Sequence, residues 1–121
     1  MNPPRVLLVG DSITVSPGYS FGSSGYAPFA AERLEPAGGP SSGREIEVTW
    51  WPKSGGTVVL LQSLESGQMP LDVDLIHFNA GLHDLAVYDQ PRPTSVDVET
   101  YARNLRAIVD GFRQRTPARL V

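Results

Sequence analysis

The 121-residue chain contains no cysteine, a single lysine and only two histidines. Without cysteine the chain has no disulfide bond, no thiolate nucleophile and no cysteine-ligated zinc site. Ten basic residues against thirteen acidic ones give a net charge of -3. Because the arginines are scattered and form no basic stripe, neither nucleic acid nor an anionic membrane surface is expected as a partner.

Long hydrophobic runs are also absent. The run at the start of the chain covers only residues 6–9, which is too short for the core of a secretory signal or a membrane span. We therefore expect no signal peptide, no membrane span and a cytoplasmic location. The hydrophobic fraction of 40% is enough for a buried core and predicts one domain over residues 1–121.

Apolar segments of two kinds alternate along this domain. Short runs predict strands over residues 5–9, 45–50 and 73–78, and residues 119–121 look like the start of a fourth. Helices are predicted over residues 26–35 and 57–66, the second ending at Gly67. The last helix is marked by a stripe at helical spacing and ends before Pro117. Its stripe consists of Val98, Tyr101, Leu105, Ile108 and Phe112.

Alternation of strands and helices predicts the α/β class, with a parallel sheet and helices on both of its faces. Ligands of such sheets bind beyond the carboxyl ends of the strands. Three segments with glycine or serine beside a reactive group follow successive predicted strands, so we expect them to meet at this edge. They are Gly10-Asp11-Ser12, Ser54-Gly55-Gly56 and Gly81-Leu82-His83-Asp84.

Each segment has an ordinary interpretation when taken alone. Ser12 is as suitable for a turn or a helix N-cap as for a nucleophile. Gly55 and Gly56 suit either a flexible turn or an N–H group directed at an oxyanion. His77, inside a strand, is better explained as a core residue.

The segment after the third strand is the most specific of the three. His83 and Asp84 follow a glycine at the end of an apolar strand, where core residues are not expected. Asn79, at the end of the same strand, is of a residue type whose side chain can fix a loop by hydrogen-bonding to the backbone.

Taken together, the three segments resemble the sequence blocks of the SGNH hydrolase family, also called the GDSL esterase/lipase superfamily. Gly10-Asp11-Ser12-Ile13 resembles its first block, with Ser12 as the nucleophile. Ser54-Gly55-Gly56-Thr57 looks like its second block, and Gly81-Leu82-His83-Asp84 looks like its third. His83 stands where the family usually has asparagine. The resemblance extends over residues 5–121.

The resemblance implies a three-layer, flavodoxin-like fold and hydrolysis of a small-molecule ester without a cofactor or metal. It implies that Ser12 attacks the carbonyl, while the N–H of Gly55 and the side chain of His83 stabilise the oxyanion. An imidazole can donate such a hydrogen bond. The remaining candidate residues are expected to contact the substrate; they are Asp11, Gly56, Asn79 and Asp84.

One block of the family has no counterpart. The Asp-x-x-His block, which supplies the general base, is not found in these 121 residues. We therefore expect an N-terminal portion of an SGNH hydrolase, or a natural minimal form, with about four strands and the base supplied by other sequence. In a weaker variant His83 is the base and Asp84 orients it. The exposed sheet edge expected here would be covered by an oligomer, by a missing portion or by an adapted fold.

The alternative function is a binding or interaction module that keeps the SGNH-like pocket but does not turn over substrate. A phosphoacceptor receiver domain is disfavoured, because Asp11 is a single acid and Lys53 follows the second strand rather than the fifth. A nucleotide-binding fold lacks its glycine-rich motifs. The loops at residues 17–26 and 86–96 are expected to flank the pocket, and the acyl group itself is not specified by the sequence.

Overall fold

The computed structural model describes residues 3–11, 46–53, 55–85 and 95–121. The helix predicted over residues 26–35, the serines at 12 and 54, the loop at 17–26 and most of the loop at 86–96 lie outside the described residues. The described elements are, in chain order, β1 (Arg5–Val9), β2 (Glu47–Trp50), α1 (Thr57–Glu65), β3 (Leu75–Phe78), α2 (Leu82–Leu85), α3 (Val98–Arg115) and β4 (Arg119–Leu120).

The four strands form one sheet in the order β2-β1-β3-β4, and every pairing is parallel. The sequence-based assignment to the α/β class with a parallel sheet is therefore confirmed. Leu8 of β1 lies between Trp50 of β2 and His77 of β3. The first strand of the chain is thus flanked on both sides, and the segments that follow β1, β2 and β3 leave the sheet at the same edge.

One face of the sheet packs against α1 and α3. Leu7 and Val9 of β1 are fully buried there, together with Ile76 of β3. Residues from both helices complete this core, and the rings of Phe78 and Phe112 lie 5.7 Å apart between centroids. The helical contributors are Leu60 and Leu64 from α1 and Ile108 and Phe112 from α3.

The opposite face carries the alternate residues of the same strands. Leu8 and Val48 are only 5% and 6% exposed, with Val6 and Ile46 packed beside them. The layer of helices expected on this face stays a prediction, because the described helices α1 and α3 contribute to the first face.

The stripe of apolar residues correctly predicted α3, but its first member, Val98, is 70% exposed and does not face the core. The first turn of the helix is capped by Asp97, whose carboxylate accepts a hydrogen bond from the Thr100 N–H at 2.7 Å. Mainly for this reason the pKa of Asp97 is below its usual value. Arg113 and Arg115 lie in the last turn, where positive charge is favourable. Pro117 follows the end of the helix, as expected.

Other boundaries differ slightly from the sequence-based prediction. β2 and β3 each begin two residues later than expected, at Glu47 and Leu75. Before β3, the carboxylate of Asp74 accepts from the Arg5 N–H, and the Asp74 N–H donates to the Arg5 carbonyl, so this residue is bound to the start of β1. The segment after β3, expected to be a polar loop, contains the four-residue helix α2. None of the described helices is long and apolar enough to cross a membrane.

Candidate functional site

The three predicted segments begin at one edge of the sheet. Asp11 directly follows β1 and is 2% exposed. Gly55 and Gly56 lie between β2 and α1, and both are buried. Asn79 follows β3, and its N–H donates to the Val9 carbonyl at 3.1 Å, so the end of β3 stays beside the end of β1. Ser12, the next residue after Asp11, lies outside the described residues.

A buried carboxylate joins the second and third segments. Asp84 is 1% exposed, and its two oxygens lie 3.0 and 2.9 Å from the backbone nitrogen of Thr57. The hydroxyl of Thr57 also donates to this carboxylate. The N-cap residue of α1, Gly56, has no side chain to cap the helix, so Asp84 supplies the negative charge that a helix N-terminus favours.

Close packing at this junction requires glycine at position 56. A Cβ atom there would lie 2.7 Å from Oδ2 of Asp84, closer than such atoms approach. Glycine therefore permits the carboxylate to reach the first N–H of α1. The two predicted residues Gly56 and Asp84 are in direct proximity, as the shared edge of the sheet led us to expect.

A tyrosine of helix α3 is hydrogen-bonded to the residue that precedes the third segment. The Tyr101 hydroxyl donates to the Ala80 carbonyl at 2.7 Å. Gly81 has a φ of +146°, and a Cβ on it would lie 2.9 Å from the tyrosine hydroxyl oxygen. Both its backbone conformation and its neighbour therefore favour glycine at this position.

The same helix contributes an asparagine to the carboxylate cluster. Nδ2 of Asn104 donates to Oγ1 of Thr57 at 2.9 Å. The sequence-based reasoning missed both Thr57 and Asn104 as site residues. A signal for Asn104 was present, because it lies three residues after Tyr101 and four before Ile108, on the stripe that faces the core. A polar side chain on such a stripe needs a buried hydrogen-bond partner.

His83 lies beside this cluster in α2. Its Nε2 atom is buried and has no hydrogen-bond partner within the described residues, and the same holds for Oγ of Ser95. The N–H of Val96 donates to the Asp84 carbonyl at 3.0 Å, which brings the segment before α3 to the same region. Both carboxylate oxygens of Asp84 are directed at Thr57, so the hydrogen bonds described for this carboxylate do not orient His83.

His77 occupies a different environment. It lies inside β3, opposite Leu8, and is half-buried on the sheet face that α1 and α3 do not cover. It is the third of the four residues of β3, so it lies within the strand and not in the segment that follows it. Within the described part of the chain, no three histidine, aspartate or glutamate side chains are grouped so that they could hold a metal ion.

No family model matches the chain, and neither a curated protein nor a solved structure is significantly similar to it. The chemistry of the site is therefore argued from its own residues. Among the predicted residues, Asp84 is hydrogen-bonded to the start of α1, and Gly55 and Gly56 directly precede that helix. His83 is adjacent to Asp84 in the chain. Asp11 and Asn79 lie at the ends of the two neighbouring strands.

Proposed function

We propose that this protein is a serine ester hydrolase of SGNH type, with the three-layer, flavodoxin-like fold of that family. The observation that carries the proposal is the set of hydrogen bonds between Asp84 and Thr57. It joins the segment that would supply an oxyanion N–H, at Gly55, to the segment that would supply a side-chain donor, at His83. An oxyanion site needs such donors fixed in advance, because reorienting them during the reaction costs free energy.

In the proposed reaction the Ser12 oxygen attacks the carbonyl carbon of an ester, and the carbonyl oxygen becomes an oxyanion. N–H groups of Ser12 and Gly55, together with the imidazole N–H of His83, donate to that oxygen. The alcohol then leaves with a proton, and water hydrolyses the acyl-enzyme. The unpartnered Nε2 of His83 supports this role, since buried polar atoms are normally hydrogen-bonded and a substrate oxygen would supply the partner that this atom lacks.

Helix α2 also offers apolar surface beside the proposed oxyanion site. Leu82 and Leu85 are 56% and 41% exposed. We propose that this surface contacts the acyl chain or the alcohol of the ester. For Asp84, whose two oxygens are engaged with Thr57, we propose that it supports the site by fixing the loop rather than by touching substrate.

Ser12 requires a base to become a nucleophile at neutral pH. His77 lies within β3 and not in the segment that follows the strand, so we do not assign it as the base. His83 is assigned here to the oxyanion, and Asp84 does not support it as a base because its oxygens accept from Thr57. The proposed activity therefore depends on a base other than these two histidines, which are the only ones in the chain. Without one, the same pocket would bind a ligand without turnover, which is the second candidate function.

Modification of Ser12 separates the two functions. With such a base in place, we expect the folded protein to react stoichiometrically with a fluorophosphonate at Ser12 and to hydrolyse p-nitrophenyl acetate. Ser12→Ala should abolish both, because the nucleophilic oxygen is lost. The measurements are intact mass and peptide mapping after labelling, and the rate of p-nitrophenolate release.

The serine at position 66 provides a matched control. Its hydroxyl donates to the Ser63 carbonyl at the end of α1, so Ser66→Ala changes a serine outside the proposed site. Circular dichroism should show that both variants are folded. Turnover that survives Ser12→Ala would refute the nucleophile assignment, and a folded chain that takes no label would favour the binding module.

A further inference from the structure

Residue Asn104 of α3 reaches the proposed site through a chain of two hydrogen bonds. Its amide donates to the Thr57 hydroxyl at 2.9 Å, and that hydroxyl donates onward to the Asp84 carboxylate. A hydroxyl has one proton to donate and lone pairs to accept with, so Thr57 can fill both roles at once. The three side chains come from α1, α2 and α3.

The donor from Asn104 determines the direction of the second hydrogen bond in this chain. With the Asn104 N–H pointing at its oxygen, the Thr57 hydroxyl must direct its own proton elsewhere, and the acceptor in range is Asp84. The carboxylate thereby receives both the N–H and the O–H of Thr57, which fixes its plane relative to the start of α1. Cooperative hydrogen bonds of this kind hold their members more rigidly than a single bond does.

We propose that Asn104 is a positioning residue that sets the Gly55–Thr57 turn through the Thr57 hydroxyl and Asp84. This inference rests on the proposed function for its catalytic consequence. Its structural consequence can be measured separately. Asn104 touches no substrate in this proposal; it acts by preventing rotation of the hydroxyl and hence movement of the turn that carries the Gly55 N–H.

The packing around the cluster supports a positioning role rather than simple space filling. Thr57 is fully buried, and Gly56 leaves no room for a side chain beside Asp84. The carboxylate therefore has little freedom to move unless Thr57 moves with it. Tyr101, one turn earlier on α3, holds Ala80 at the other end of the same region. One helix thus anchors both segments that would form the oxyanion site.

The test is a double-mutant cycle with Asn104→Leu and Thr57→Val, in which each change removes a polar group and approximately keeps the volume. For p-nitrophenyl acetate we expect each single variant to lower kcat by roughly tenfold at nearly constant KM, the loss of about one buried hydrogen bond. The double variant should be no slower than either single one, since both break the same chain. Thr57→Ser, which keeps the hydroxyl, should restore most of kcat.

A second measurement does not depend on activity. Hydrogen exchange of the Thr57 amide, which donates to Asp84, followed by NMR, should accelerate at least tenfold in Asn104→Leu and Thr57→Val but not in Thr57→Ser. Gln62→Leu, an amide-to-leucine change on the exposed side of α1, is the matched control and should alter neither kcat nor this exchange.

The outcomes separate the two proposals. Additive losses in the cycle, or unchanged exchange of the Thr57 amide in Asn104→Leu, overturn the positioning role of Asn104. If the parent chain neither takes a label at Ser12 nor hydrolyses the ester, the proposed function fails. In that case hydrogen exchange is the only test of the positioning role. Faster local exchange supports the role, and unchanged exchange refutes it.

Discussion

Asp84 combines complete burial with a negative charge that meets no positively charged side chain among the hydrogen bonds described for it. Its compensation comes from the N–H and hydroxyl of Thr57 and from the N-terminal end of α1. Carboxylates in such settings are sensitive to any change that replaces an acceptor by a donor. This single residue therefore links the stability of the domain to the geometry of the site.

We expect Asp84→Asn to lower the free energy of unfolding by about 1–3 kcal/mol, because the new NH₂ group would face the N–H or hydroxyl of Thr57 and leave a buried donor unsatisfied. Urea denaturation followed by circular dichroism would measure the loss. Asp110→Asn, an identical change at an exposed position of α3, should remain within about 0.5 kcal/mol of the parent. Equal stability of the two variants would contradict the role assigned to the carboxylate.

At the scale of elements, α3 organises the described part of the molecule. It packs along α1 and buries Ile108 and Phe112 against the sheet. Its polar residues Tyr101 and Asn104 reach the two segments of the site. Because the helix begins at an aspartate cap, its first turn responds to the protonation of that cap.

The cap should make the start of α3 sensitive to acid. The Thr100 N–H, bonded to Asp97, holds the pKa of this carboxyl below its usual value of about 3.9. The capping contribution is then complete above that pH and is lost as the pH falls through the lowered pKa of the folded state. The thermal midpoint of Asp97→Asn, which keeps a capping oxygen without a titrating group, should fall less with acid than that of the parent.

Thermal unfolding followed at neutral pH and near pH 3 would measure this difference. Asp110→Asn removes a charge from the middle of the same helix and serves as the control, because position 110 does not cap. If the parent and Asp97→Asn lose the same number of degrees on acidification, the cap does not contribute to the acid sensitivity.

The elements could be predicted from sequence to different degrees. α3 was predictable because its apolar residues repeat at helical spacing over four turns, and β1 because a continuous apolar run is bounded by Gly10. α2 was not, since four residues are too few to show a period. At the site, the meeting of Gly56 with Asp84 followed from the parallel order of strands. The bond between Asn104 and Thr57 joins residues 47 positions apart, and local spacing does not encode such a contact.

At the scale of the whole molecule, apolar side chains form one layer on each face of the sheet. The layer under α1 and α3 contains most of the fully buried side chains, including Leu7, Ile76 and Phe112. The layer around Leu8 and Val48 lies on the reverse side. Both faces of β1 are thus buried, as its continuous apolar sequence suggested.

Removal of one large side chain from the first layer should affect the entire domain. Phe112 is fully buried and contacts Phe78 from α3, so we expect Phe112→Ala to reduce the free energy of unfolding by about 3–5 kcal/mol through lost burial and a cavity. Val98→Ala on the same helix changes a residue that is 70% exposed and should cost less than about 0.5 kcal/mol. Denaturant titration of both variants would test this, and a loss of only 1 kcal/mol for Phe112→Ala would show that the core lies elsewhere.

The central position of β1 has a consequence for the order of events during synthesis. Of the three strands that meet at the proposed site, β1 leaves the ribosome first, yet its partner β3 begins only at Leu75. At ordinary translation rates the nascent chain spends on the order of seconds with that edge of β1 unmatched. Parallel pairs between distant segments also form slowly. We expect the apolar run at residues 6–9 to be the point at which the newly made chain is most exposed to aggregation and most dependent on a chaperone.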